Sequence, residues 1–227
     1  MDGLHLTSAP LVPEVRLFLA EDPTILWARL ESGASRHLPA PFWASAWSGG
    51  QALARYVLDH PDVVAKRRVL DLASGSGIVA IAAGLAGAAS VTANDIDPYS
   101  AVAIQANTEA NAVRVDMLLT DILDTDLRAL DEFSVVLAGD VLYSDAMAAR
   151  MLPFLATVAE RGARVLVGDP GRGWMPSDSW VTLATYHMPR IGAGEDSQIT
   201  ATNVLTPRRY HTHRTGWTAE GALAPRR

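Results

Sequence analysis

The 227-residue chain contains no cysteine, which excludes disulfides, thiolate metal sites and a cysteine nucleophile. Lysine is almost absent as well: Lys66 stands alone, and arginine supplies the rest of the positive charge. Charged residues are only 19% of the chain and apolar ones 49%, which excludes wholesale disorder and allows a sizeable core. No apolar run reaches membrane-spanning length, and the start of the chain lacks the basic and long apolar stretches of a secretory signal, so a cytoplasmic protein is expected. The basic excess of a general nucleic-acid binder is also missing, since 19 basic and 25 acidic side chains give −6. The charge is uneven. Residues 208–227 carry five arginines against Glu220, a balance of +4, so residues 1–207 carry −10. An acidic body of this kind steers basic partners, such as a lysine-bearing protein surface.

The chain shows no internal repeat and no low-complexity tract, and its length favours one domain. That domain is expected over 1–207, with a helical lead-in at 10–60, a sheet core at 68–207 and a basic, flexible tail at 208–227. Pro13 reads as a helix start ahead of Val15, Leu17, Phe18 and Leu19. Phe42–His60 reads as one helix, with Trp43 and Trp47 four apart on one face. From Arg68 the pattern alternates. Strands are expected at 69–72, 91–93, 115–119, 134–138 and 164–167, and helices at 78–85, 98–111 and 145–160, the last kinked or broken at Pro153. Strands at 181–188 and 198–205 are joined by a loop bearing Gly192 and Gly194, with no room for a helical crossover, so they should pair antiparallel. The fold class is therefore α/β: a Rossmann-like, doubly wound, mostly parallel seven-stranded sheet with an antiparallel C-terminal hairpin.

In open α/β sheets ligands sit beyond the carboxyl ends of the strands. Five consecutive strands end near Asp71, Asp95, Asp121, Asp140 and Asp169, which topology gathers at one edge. Singly, each aspartate reads as a turn or cap former. Ser74-Gly75-Ser76-Gly77 is a small-residue turn whose backbone can approach a ligand closely. Gly75 to Ala80 satisfies GxGxxA, and Asp95 lies 18 residues beyond Gly77, in range for a carboxylate on ribose hydroxyls. Both a nicotinamide dinucleotide and S-adenosylmethionine (SAM) answer to that pattern. Asp71 separates them: a carboxylate at this turn repels a diphosphate and suits a phosphate-free ligand with an ammonium group. Asp121 beside Ile122 adds an acceptor and an apolar wall for adenine. His187, His211 and His213 have no matched ligand set, so no metal is expected.

On these residues the chain resembles the class I, seven-β-strand SAM-dependent methyltransferases. Val69 to Gly77 is similar to their first motif and Asn94 to Pro98 to their second. Ala73 stands where that family usually has glycine, and alanine is expected there only with a negative φ. A finer resemblance, over about residues 10–205, is to the lysine methyltransferases of the electron transfer flavoprotein β-subunit. It rests on Pro41 to Ala54, Ala93 to Pro98, Gly139 to Tyr143 and Gly168 to Arg172. The resemblance implies that Asp71, Gly75 and Gly77 hold the methionine part of SAM, Asp95 the ribose, and Asp121 with Ile122 the adenine, with Ile96 also at the cofactor. Trp47 and Asp140 would also touch the cofactor, and Asp140 and Tyr143 would line the channel of the acceptor lysine. Arg172 is read, more loosely, as a contact for an acidic part of the substrate. The implied reaction is methyl transfer from SAM to a protein lysine, with S-adenosylhomocysteine (SAH) as by-product. Alternatives from the same residues are a methyltransferase for a ribosomal protein or small molecule, a nicotinamide-dinucleotide oxidoreductase, and a non-catalytic cofactor-binding protein.

Overall fold

A computed structural model describes residues 3–188 and 199–208. The loop with Gly192 and Gly194 and all of the basic tail after Arg208 lie outside the described residues.

The first element corrects the expected helical lead-in. Strands β1 (Leu4–Ala9) and β2 (Val12–Ala20) form an antiparallel hairpin. Val12, Val15 and Leu17 are buried while Pro13, Glu14 and Arg16 are exposed. Over Val15, Arg16 and Leu17 burial follows the period of two of a strand, which four crowded apolar residues concealed. Pro13 sits on the exposed side, where its missing N–H costs little. The free edge of β2 is covered by side chains of a later helix: Arg16 and Phe18 donate their backbone N–H groups to Asn111 Oδ1 (2.9 Å) and Asn107 Oδ1 (2.7 Å). A true helix, α1 (Pro23–Ala34), follows, with Pro23 in its first turn and Asp22 accepting from the Thr24 and Ile25 amides.

The helix expected from Phe42 is also divided. Phe42–Ala44 forms a single 3₁₀ turn, Trp47 is extended, and α2 runs from Ser48 to Asp59. Trp43 and Trp47 therefore do not share a helical face. Trp43 is buried and stacks on Tyr99 at 6.5 Å between ring centroids, whereas Trp47 packs on Phe42 at 5.8 Å.

The main sheet holds β3 (Arg68–Leu72), β4 (Ser90–Asp95), β5 (Asp116–Leu119), β6 (Val135–Gly139), β7 (Arg164–Asp169), β8 (Trp180–His187) and β9 (Ala201–Pro207). Its order is β5-β4-β3-β6-β7-β9-β8, parallel as far as β7 and antiparallel beyond, with β9 between β7 and β8. Helices α3 (Ile78–Leu85), α4 (Pro98–Ala110) and α5 (Asp145–Glu160) join the parallel strands. Helix α5 passes through Pro153 without a break. Side chains alternate across the sheet: Val69, Leu137 and Leu166 enter one apolar cluster with α2 and α3, and Leu70, Val136 and Val165 enter another with α5. Strand order reverses between β3 and β6, and the crevice at that reversal faces the Asp71 turn on one side and Asp140 on the other.

Candidate active site

The turn after β3 is shaped by three consecutive constraints. Gly75 and Gly77 have φ of 56° and 81°, the left-handed region that glycine enters without steric cost. Ala73 has φ of 52° and an exposed side chain, so the expected negative angle is not what the fold adopts. Hydrogen bonds on both sides hold it there, since Ser74 N donates to Asn94 O at 2.9 Å and Ser74 Oγ donates to Asp71 Oδ2. Asp71 lies beneath the turn, 1% exposed, and also accepts from Ala80 N in α3 at 3.0 Å. Burial is the main cause that pushes its carboxyl up from 3.8 to about 7; the bonds from Ser74 and Ala80 pull the other way. Asp71 thus shapes the cradle from below.

Asp95 forms the adjacent wall. Its Oδ2 accepts from Gly75 N at 2.9 Å and its Oδ1 from Asp97 N at 3.0 Å, which leaves lone pairs for ligand hydroxyls. Ile96, next along, is 67% exposed. A side chain on Gly75 would meet only the Trp43 Cα, at 4.0 Å, so the turn is open on that side. A bare backbone turn, a carboxylate with spare acceptors and an exposed apolar side chain, with no arginine or lysine hydrogen-bonded to them among the described residues, fit a phosphate-free nucleoside. Asp121 is more heavily committed, accepting from Leu123 N at 3.1 Å and pairing with Arg150 at 3.0 Å. Ile122 is 2% exposed and belongs to the core beside α5.

Across the crevice, Asp140 follows β6 with φ of 58° and is 8% exposed. Its Oδ2 accepts from Gly49 N at 3.1 Å, in the first turn of α2, and its Oδ1 accepts from Arg172 Nε at 3.2 Å. Arg172 is therefore a partner of Asp140. The approach depends on glycine: a Cβ on Gly49 would stand 2.5 Å from the Gly168 carbonyl oxygen, and one on Gly168 would collide with Gly49 O. Tyr143 is half exposed and stacks on Phe42 at 6.1 Å, while Trp47 donates its indole N–H to Phe42 O at 2.8 Å. Burial, and after it the negative charge of Asp95, raises the Tyr143 phenol above its usual range. Phe42, 54% exposed, completes an aromatic rim.

Sequence reasoning passed over Phe42, Asn94 and Asn107. Asn107, fully buried, donates to Ser76 O at 2.8 Å while accepting from Phe18 N, so it ties the glycine turn to the hairpin. Asn94 donates to Leu118 O and Thr120 O, both at 2.8 Å, and fixes the end of β5. Asn94 belonged to a recognised motif; Asn107 carried no signal, being one amide in a helical run.

Over 204 residues the chain is 42% identical to the electron transfer flavoprotein β-subunit lysine methyltransferase of Danio rerio, covering 88% of this chain and 78% of that protein. The chain belongs to this methyltransferase family. The protein of the same name from Rattus norvegicus is 36% identical, with 87% and 78% covered. Residues 51–163 of this lysine methyltransferase family member also match the ribosomal protein L11 methyltransferase (PrmA) family. Among solved structures, a candidate SAM-dependent methyltransferase from Streptococcus mutans aligns with TM-score 0.55 at 12% identity, over 91% of this chain and 56% of that one. The same figures hold for a candidate methyltransferase solved with SAH. At that identity the likeness shows the fold. The protein is accordingly a SAM-dependent methyltransferase, and the oxidoreductase alternative falls away.

Proposed function

We propose that this methyltransferase transfers the methyl group of SAM to lysine side chains of the electron transfer flavoprotein β-subunit or of a similar basic protein loop, in the cytoplasm. The observation that carries the reading is the aromatic rim of Phe42, Trp47 and Tyr143 beside a buried carboxylate, across the crevice from the glycine turn. Bound SAM supplies an electrophilic methyl group on a sulfonium. Gly75 and Gly77 would receive its methionine part over Asp71, Asp95 its ribose with Ile96 beside it, and Asp121 with the backbone of Ile122, whose side chain lies in the core, its adenine. On the far side, Tyr143 and Phe42 offer ring faces to a lysine side chain, and such faces attract cations. Asp140 orients the amine. With substrate seated against them, the aromatic walls would shield the amine from water, which disfavours the ammonium and helps the nitrogen to lose its proton. Alignment of that nitrogen with the carbon–sulfur bond supplies much of the rate.

Mass spectrometry of recombinant flavoprotein β-subunit after incubation with enzyme and SAM tests this reading. Methylated lysines are expected; an unmodified subunit overturns the substrate assignment. Phe42→Ala should raise KM for the protein about tenfold while leaving SAH affinity unchanged, since a lost aromatic contact is worth about 1 kcal/mol or more. The match to the L11 methyltransferase family favours a second reading, a ribosomal protein acceptor. Parallel incubation with ribosomal proteins separates the two.

A further inference from the structure

The Arg172–Asp140 pair is the feature that the reaction as described leaves unused. Arg172 stands three residues beyond β7, in the connection to β8, yet it reaches the residue that follows β6. Its Nε lies 3.2 Å from Asp140 Oδ1 and its Nη2 3.5 Å from Oδ2, a two-pronged approach that suits the planar guanidinium. The carboxylate side chain is 5% exposed and the arginine 24%, so water screens the pair poorly. The Gly49 amide and, at 3.5 Å, the Ser48 hydroxyl of α2 also approach Oδ2. Among the described residues, a further carboxyl is coupled to the pair. Asp169 ends β7, and its carboxyl is raised chiefly by burial, with Asp140 adding to the shift and Arg172 opposing it. Tyr143 lies on the segment of Asp140 itself.

This arrangement resolves a conflict in the chemistry. The acceptor must attack as a neutral amine, because an ammonium has no lone pair. A buried carboxylate beside it favours the ammonium. At the spacing of an ion pair, an uncompensated charge of that kind raises an amine by roughly one to three pH units. We propose that Arg172 is a positioning residue for the transfer: it fixes the Asp140 carboxylate and cancels its charge, so that lysine is oriented without being trapped as an ammonium. This inference rests on the protein-lysine reading given above. The methyl transfer itself is unchanged: the nitrogen–carbon bond forms as the carbon–sulfur bond breaks, the electron pair stays on sulfur, and the amine proton goes to water.

The test compares wild type, R172K, R172M, D140N and D140N/R172M on the flavoprotein subunit across pH 6.5 to 10, reading kcat and KM separately. Thermal melts of each variant serve as the check on folding. R172M is expected to lose about tenfold in kcat at pH 7.5 without a rise in KM, and its rate should recover at high pH because the midpoint of the rising limb moves up by about one unit. R172K should restore most of the wild-type midpoint. D140N should have a lower midpoint than wild type, because the guanidinium then acts on the amine uncompensated, and D140N/R172M, with neither charge, should return to near the wild-type midpoint. An R172M limb that stays in place, with the same fractional loss at every pH, overturns the proposal and leaves Arg172 a structural anchor. A D140N midpoint at or above that of wild type overturns it equally. Absence of transfer by the wild type overturns the substrate assignment, and the Arg172 role with it.

Discussion

Ala73 and Asp71 show how individual residues carry the strain of the cofactor turn. Ala73 occupies a left-handed conformation that costs a non-glycine residue roughly 1 kcal/mol. Ala73→Gly is therefore expected to stabilise the fold by about 1 kcal/mol, less the entropy that glycine loses on folding, as read by urea denaturation. Asp71 makes a pH-dependent contribution. Burial raises its carboxyl to about 7, so the folded chain holds a proton that the unfolded chain releases near 3.8. The folded state binds more protons across that window, and stability falls as pH rises from about 4 to about 7. Asp71→Asn should flatten that part of the profile in thermal melts taken from pH 4 to 8; an unchanged slope would show that Asp71 is already ionised in the fold.

At the scale of elements, the site is assembled by contacts between segments distant in sequence. Helix α2 brings its amino end to Asp140 only because Gly49 and Gly168 let helix and sheet backbones touch. Gly168→Ala would force β7 and α2 apart. Overpacking of this kind costs about 1–3 kcal/mol. The variant should show a lower denaturation midpoint and, because Asp140 loses its amide partner, a larger fractional loss of kcat than of SAH affinity. Helix α4 works in the same way on the opposite wall. Asn107 and Asn111, one turn apart, cover the edge of β2, and Asn107 also anchors the glycine turn through Ser76 O. The hairpin that replaced the expected lead-in helix is thus coupled to the cofactor cradle through a buried amide.

For the whole molecule the governing quantity is charge. Residues 1–207 carry −10 while the complete chain carries −6. A body of that sign accelerates encounter with a basic protein surface, and salt screens the effect. Between 50 mM and 300 mM salt, kcat/KM for the flavoprotein subunit should fall severalfold, with the change in KM and little change in kcat. Independence from salt would remove electrostatic steering from the account of substrate choice.

Much of this molecule was legible before any coordinates. Helix α3 runs over the expected residues, Asp97 caps α4 ahead of Pro98, and α5 keeps its bounds. These elements announce themselves through local chemistry: caps, proline at a first turn, and apolar runs of the right length. The glycine turn with Asp95 was legible for the same reason, since its spacing is fixed by a short stretch of chain. The N-terminal hairpin was not, because Val15 to Leu19 is apolar at nearly every position and only the neighbours in space decide which side is buried. Nor was the pairing of Arg172 with Asp140, 32 residues apart. The sequence by itself determined the mostly parallel seven-stranded sheet, its antiparallel C-terminal strands and the helices between the parallel strands. Only the tertiary structure decided that Asp140 has a guanidinium and a helix end as partners, because those contacts form between strand ends that packing, not local preference, brings together.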